Sequence, residues 1–303
     1  MVSIARRVLL FIALNAMVLL TISIVLNLLN VKPYLTQTGL DLESLLIFCL
    51  IWGVCGALIS LMLSRLMAKW MMGVQVIDPD TRDSEQKKLL QLVYSLAQRA
   101  GLSTMPEVGI YESQEVNAFA TGPTKARSLV AVSSGLLSRM NTAEVEGVLA
   151  HEISHITNGD MVTMTLLQGV INAFVMFFAR VLAFVVLRAG RSRESNDMPS
   201  PLLYNVLVFV FEIFFMILGA IVVATYSRFR EYRADAGGAR LASREKMIGA
   251  LKGLERCIQV ADTRSDNAAF QAFKISSKGS FLHLFSSHPP LEKRIERLET
   301  GRY

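Results

Sequence analysis

Four long apolar runs dominate the pattern of hydrophobic and polar positions. The first extends from Val8 to Leu29 and the second from Leu45 to Leu63, and neither contains a charged residue. The third, Met161 to Leu187, carries Gln168, Asn172 and Arg180, and the fourth, Pro201 to Tyr226, carries Glu212 near its middle. An apolar helix of about 18 residues or more can cross a bilayer, so the pattern predicts four hydrophobic, transmembrane helices. Arg6 and Arg7 precede the first run as they would in a signal peptide. The run is longer than the roughly 7–15 apolar residues of such a segment and no small-residue cleavage site follows, so it reads as a retained anchor.

Between the apolar pairs, Asp78 to Asp160 reads as a compact polar unit. It opens on the turn Asp78-Pro79-Asp80 and continues into a helix from Ser84 to Ala100, with Leu89, Leu92, Val93 and Leu96 on one face. Glu107–Tyr111 and Ser128–Ser133 read as short strands of a small sheet, with Asn117-Ala118-Phe119-Ala120-Thr121-Gly122 between them. Asn141 and Glu144 have capping-box spacing, and Asn158-Gly159 supplies a stop, which predicts a helix between them. After the fourth run, 228–242 and 244–260 read as helices, 262–280 as a polar mobile loop, and the residues after Pro289-Pro290 as an amphipathic helix through Leu291, Ile295 and Leu298. The chain thus divides into a hydrophobic hairpin (1–66), a polar part (67–160), a second hydrophobic hairpin (161–226) and a C-terminal helical part (227–303).

Composition agrees with a polar part averaged with apolar segments: 52% of residues are hydrophobic, 18% charged, and the mean hydropathy is +0.42. The net charge of +6 raises the question of nucleic acid, but the Lys and Arg residues flank apolar runs or alternate with acids. A lipid bilayer with anionic headgroups explains them, and no nucleic-acid partner is expected. Lys and Arg are retained on the cytoplasmic side during insertion. Arg6 and Arg7 therefore place the N-terminus inside, and Arg65, Lys69, Arg82, Lys87 and Lys88, against Lys32 alone in the preceding loop, return the chain there. Arg188, Arg191 and Arg193 run against export of the later loop, so the third and fourth runs either break the rule or form a hairpin that does not fully cross. Cys49 and Cys55 lie within the second run and Cys257 stands apart, which supplies neither a disulfide framework nor a cysteine metal site.

The chemistry concentrates in His151-Glu152-Ile153-Ser154-His155. Histidines four apart on a helix share a face and can place two imidazole nitrogens on one zinc ion. Glu152 then stands beside the metal, positioned to take a proton from an attacking water and return it to a leaving amine. A catalytic zinc usually takes a third protein ligand. His283 and His288 are the remaining histidines, and Glu231, with Asp235 four residues later on the same helix face, offers a carboxylate instead. Asp235 would then accept a hydrogen bond from a ligand histidine. The opposing reading pairs Glu231 and Asp235 with Arg228, Arg230 and Arg233 on a solvated helix, and the pattern alone leaves both open.

The motif, the two apolar runs that follow it and Glu231-Tyr232-Arg233-Ala234-Asp235 together resemble the HtpX family of bacterial membrane proteases, relatives of the CAAX prenyl proteases. The resemblance also takes in the N-terminal runs, Val116 to Gly122, His155 to Gln168, and Ser287-His288-Pro289-Pro290-Leu291. It implies one zinc ion per chain held by His151, His155 and Glu231, catalysis by Glu152, and support from Asp235 behind the ligands. It further implies ATP-independent quality control of membrane proteins in the inner membrane, induced by heat or envelope stress. The fold class expected is mainly α, with four transmembrane helices and a cytoplasmic zincin-like α+β part.

Asn117, Ala118 and Phe119 resemble the family's segment beside the active-site helix, where a strand edge can add a substrate as a further strand; a core strand with Phe119 buried is the equal alternative, and both can hold. His288 can donate to the oxyanion, or cap the closing helix or order the loop before it. Arg180 and Glu212 fall at similar depth if the hairpin turns at 193–196, as an ion pair or as the lining of a wet cavity reaching the metal. Ligands that adjoin apolar runs predict cleavage of extended, unfolded cytoplasmic or juxtamembrane segments of membrane proteins. A noncatalytic zinc-dependent scaffold or regulator is the competing class, against which Glu152 argues, and nothing selects an isoprenoid substrate.

Overall fold

The computed structural model describes residues 4–31, 33–36, 39–189, 200–264 and 286–301. The chain forms two compact units. One comprises 61–163 and 224–303, the other 4–60 and 164–223. His283, Lys32, Arg191, Arg193, the 193–196 turn and most of the loop expected at 262–280 lie outside the described residues.

The first unit is built on a four-stranded sheet of order β3-β4-β6-β5. Its strands are β3 (Gln75–Val76), β4 (Glu107–Tyr111), β5 (Ala118–Thr124) and β6 (Arg127–Ser133). β4 and β6 run parallel, and the other pairs are antiparallel. The expected strands 107–111 and 128–133 are thus neighbours, and the segment between them in sequence becomes the edge strand β5. Against this sheet and one another pack α3 (Ser84–Arg99), α4 (Ser134–Arg139), α5 (Thr142–Asn158) and α8 (Arg244–Arg264), and α9 (Leu291–Glu299) packs on α8. Val93 and Leu96 of α3, Val130 and Val132 of β6, Leu136 of α4 and Leu149, Ile153 and Ile156 of α5 are all fully enclosed in one core. Burial of each such side chain contributes roughly 1.5–3 kcal/mol. Glu107 on β4 accepts ion pairs from Arg65 and, at 2.7 Å, from Lys69, so burial of its carboxylate is offset and its pKa held below the usual value.

The second unit contains α1 (Ile4–Leu28), the short hairpin β1 (Leu35–Thr36) and β2 (Gly39–Leu40), and the apolar parts of α2 (Leu42–Met71), α6 (Asp160–Ala189) and α7 (Pro201–Leu241). Helices α2, α6 and α7 are long and apolar enough to cross a membrane, while the described apolar stretch of α1, Ala16–Leu28, is shorter. The helices meet through small residues: a β-carbon on Gly53 would lie 2.5 Å from the Gly169 carbonyl oxygen, so α2 and α6 approach as closely as glycine permits. Away from those contacts Leu202, Phe209, Phe214 and Met216 are more than half exposed, an outward apolar surface suited to lipid rather than water.

The sequence pattern separates the helix at 228–242 from the fourth apolar run, but α7 passes through without a break over 41 residues. Neither glycine nor proline interrupts the chain at Tyr226-Ser227-Arg228, and Ser227, a residue able to cap a new helix, is instead buried within the continuous one. Polarity changes there and helicity does not. The helix expected over 244–260 likewise continues to Arg264.

Candidate metal centre

The centre is assembled on α5. Asn141 accepts a hydrogen bond from the Glu144 amide at 2.9 Å, Glu144 accepts one from the Asn141 amide at 3.0 Å, and the helix ends at Gly159, whose left-handed φ of 71° closes the last turn. These contacts set the frame in which His151 and His155 leave the same face. Both are buried. Their rings meet edge to face with centroids 4.6 Å apart, and their Nε2 atoms are 3.1 Å from each other.

Helix α7 delivers the third group. A β-carbon on Gly237 would lie 2.6 Å from Ser154 Oγ and one on Gly238 3.2 Å from the His151 amide nitrogen, so the pair of glycines admits α7 against α5. At that separation Glu231 Oε2 lies 3.3 Å from His151 Nε2, and Glu231 Oε1 lies 3.4 Å from His155 Nε2. Glu231 and Asp235 are 1% and 2% exposed, which removes the solvated-helix reading. Arg230 still reaches Glu231, at 3.0 Å, while Arg233 pairs with Asp160.

His151, His155 and Glu231 form a group whose donor atoms could hold a metal ion. Their spacing suits one: donors about 2.0–2.1 Å from a tetrahedral zinc are ~3.3 Å apart. The outward nitrogens make the same point. His155 Nδ1 meets Asp160 Oδ2 at 2.7 Å, which keeps that ring's proton outward, and His151 Nδ1 faces Asp235 Oδ1 at 3.0 Å, so the inner nitrogens of both rings are placed to turn lone pairs towards each other. Two lone pairs 3.1 Å apart beside a buried carboxylate call for a cation. Burial opposes charge on His151, but Asp235 and Glu231 outweigh it and raise its pKa to about 9.

A cavity of about 740 Å3 opens beside these donors. Glu152, next to His151 in the chain, lines it. Asn117 and Ala118, at the start of edge strand β5, form part of another wall, and Leu251 and Leu254 of α8 part of an apolar one. Phe119 is partly buried and packs against Tyr111 with ring centroids 5.7 Å apart, on the core rather than in the cavity lining. His288 also lines the cavity; its side chain is 63% exposed and its Nδ1 lies 3.0 Å from Glu231 Oε2. It does not cap the closing helix, since the N-cap position of α9 is Pro290 and no side chain caps it.

Two residues of the centre escaped the sequence reading. Arg294 is 6% exposed and grips Asp235 through Nε at 2.8 Å and Nη2 at 2.6 Å, a two-point clamp. Asp160, fully enclosed, stands between His155 and Arg233.

Comparison with known proteins agrees with this geometry. Residues 83–301 match the family model described as Peptidase family M48. The chain is 50% identical to a Protease HtpX homolog of Bacillus licheniformis, covering 97% of this chain and 99% of the relative. It is 51% identical to the Protease HtpX of Shewanella sp. (strain MR-4), with the same coverage. The crystal structure of S. mikatae Ste24p shares the fold at a TM-score of 0.64 and 18% identity, over 97% of this chain and 64% of that one. With a family match over most of its length, near-complete relatives at half identity and long apolar helices, the chain belongs to peptidase family M48 and is a membrane-anchored metalloprotease.

Proposed function

We propose that the protein is a multi-pass zinc endopeptidase of the inner membrane, with four spans and its polar part in the cytoplasm, that cuts membrane proteins in quality control and under heat or envelope stress. Misfolded chains with extended cytoplasmic or juxtamembrane segments are its substrates. The observation that carries this reading is the convergence of His151, His155 and Glu231, with His151, Glu231 and Glu152 lining one cavity together with the start of an edge strand. Two histidines and a glutamate are a donor set of catalytic zinc sites, which keep a position for water or substrate. Bound there, zinc would polarise the scissile carbonyl and acidify the attacking water.

The chain's own groups do the rest. Glu152 takes the proton from water and delivers it to the departing amine. The outer edge of β5, unpaired among the described residues, pairs with an extended substrate backbone, placing the peptide across the cavity. Such pairing demands an unfolded segment, which favours damaged substrates over folded ones. His288, exposed and within reach of the same carboxylate, can turn to donate to the developing oxyanion. The orientation rests on Arg6, Arg7, Arg65 and Lys69 beside the first two apolar runs. No observation favours a noncatalytic scaffold.

The test is Glu152→Gln in the full chain in detergent, assayed on casein and on a model membrane protein. Zinc content should stay at one ion per chain while cleavage falls by about 10^2- to 10^4-fold. Cleavage that survives the change would remove Glu152 from the chemistry.

A further inference from the structure

We infer that Asp160 is a positioning residue of the metal site, holding His155 in the tautomer that turns Nε2 inward, and that Arg233 holds Asp160 in turn. The inference rests on the zinc reading of the site and names residues that the motif leaves out. Asp160 is the first residue of α6, where an acid ordinarily faces solvent and favours the helix dipole. Here it is fully enclosed. Burying a carboxylate is costly unless its oxygens are matched, and both are: Oδ2 meets His155 Nδ1 at 2.7 Å, and Oδ1 takes a side-chain contact from Arg233.

The consequence is a tautomer. A neutral imidazole carries one proton, and the acceptor at Nδ1 keeps it there, leaving the Nε2 lone pair for a cation. Without that acceptor the alternative form, with its proton on Nε2 and aimed at Glu231 and His151, becomes competitive. Asp235 faces His151 in the corresponding place, yet at 3.0 Å the His151 Nδ1 is not aligned into a formed hydrogen bond. Of the two contacts, the His155–Asp160 one is the shorter and better made. Each histidine therefore leans on its own aspartate–arginine pair, Asp160 with Arg233 and Asp235 with Arg294.

The experiment measures affinity rather than turnover: the full-length protein in detergent is stripped of metal and titrated with Zn2+ against a chromophoric chelator, with circular dichroism reporting the fold. Asp160→Ala should raise the Zn2+ dissociation constant by about 10- to 100-fold. Asp160→Asn, whose amide oxygen still accepts from Nδ1, should raise it less. Arg233→Met should weaken zinc in the parent protein and add nothing in the Asp160→Ala background, because it acts through the same carboxylate. Folded Asp160→Ala and Asp160→Asn proteins that both bind Zn2+ within twofold of the parent would overturn the inference. If Asp160→Ala does not fold, Asp160→Asn and Arg233→Met decide it, and parent-like affinity in both is the overturning result. A parent protein that binds no Zn2+ would instead sink the metal reading beneath it.

Discussion

Arg294 occupies a place where an apolar residue would be expected. It follows Leu291 by three residues and precedes Leu298 by four, on the same stripe of α9 as Ile295. A charge inside an apolar stripe must meet a buried partner, and Arg294 meets Asp235 with two nitrogens and approaches Glu231 at 3.7 Å. Arg294→Met keeps the stem and removes the charge, leaving Asp235 enclosed with His151 as its neighbour. Loss of about 3–5 kcal/mol of stability is expected. Chemical denaturation of the metal-free protein measures it, and a change below 1 kcal/mol would mean that Asp235 does not depend on the clamp. The residue was legible in principle, because the three-four spacing that marks Leu291, Ile295 and Leu298 passes through Arg294 as well. Asp160 was not. At the start of a helix an acid has a sufficient local reason to be there, and only the fold shows that it points at His155.

Among the elements, α5 could be read in full because its determinants are local: a capping box before it, a left-handed glycine after it and a motif within it. The partner helix could not. Glu231 and Asp235 matter only once α7 lies against α5, and that contact is set by Gly237 and Gly238, which in the sequence look merely unfavourable for a helix. Glycine costs roughly 1 kcal/mol there relative to alanine in an exposed helix interior. The order should reverse in this protein, since a β-carbon on Gly237 would meet Ser154 Oγ at 2.6 Å and Ser154 Cβ at 2.8 Å. Gly237→Ala should destabilise by about 1–3 kcal/mol and, on the proposed zinc site, weaken zinc retention together, as the displaced helix carries Glu231. Paired measurement of the melting temperature and the zinc stoichiometry checks both. A more stable variant would show that the helices do not meet as described.

At the scale of the molecule, the apolar runs announced the long helices because hydrocarbon leaves a chain few alternatives to a helix. They also suggested the Arg180–Glu212 pair within those helices, but not the other groups that hold it. Arg180 and Glu212 lie on different helices of the same unit, 32 residues apart in sequence, and meet at 2.7 Å through Arg180 Nη1 and Glu212 Oε1. The same arginine nitrogen donates to the Met176 carbonyl at 3.0 Å, and the guanidinium lies 5.9 Å from the Phe48 ring. Arg180 is thus tied to its own helix, to α7 and to α2, whereas Glu212 is the more exposed partner, at 31% against 15% for the arginine. That asymmetry shapes the expected outcome. Arg180→Leu leaves a carboxylate among apolar side chains and should cost about 3–5 kcal/mol, and Glu212→Leu should cost less because the guanidinium keeps the Met176 carbonyl. Arg180→Glu combined with Glu212→Arg restores opposite charges but not the bond to Met176, so it should recover part of the loss caused by either single reversal. Thermal unfolding of the four proteins in one detergent gives the coupling directly. If the double reversal is no more stable than the worse single one, the two charges are not paired in the membrane unit.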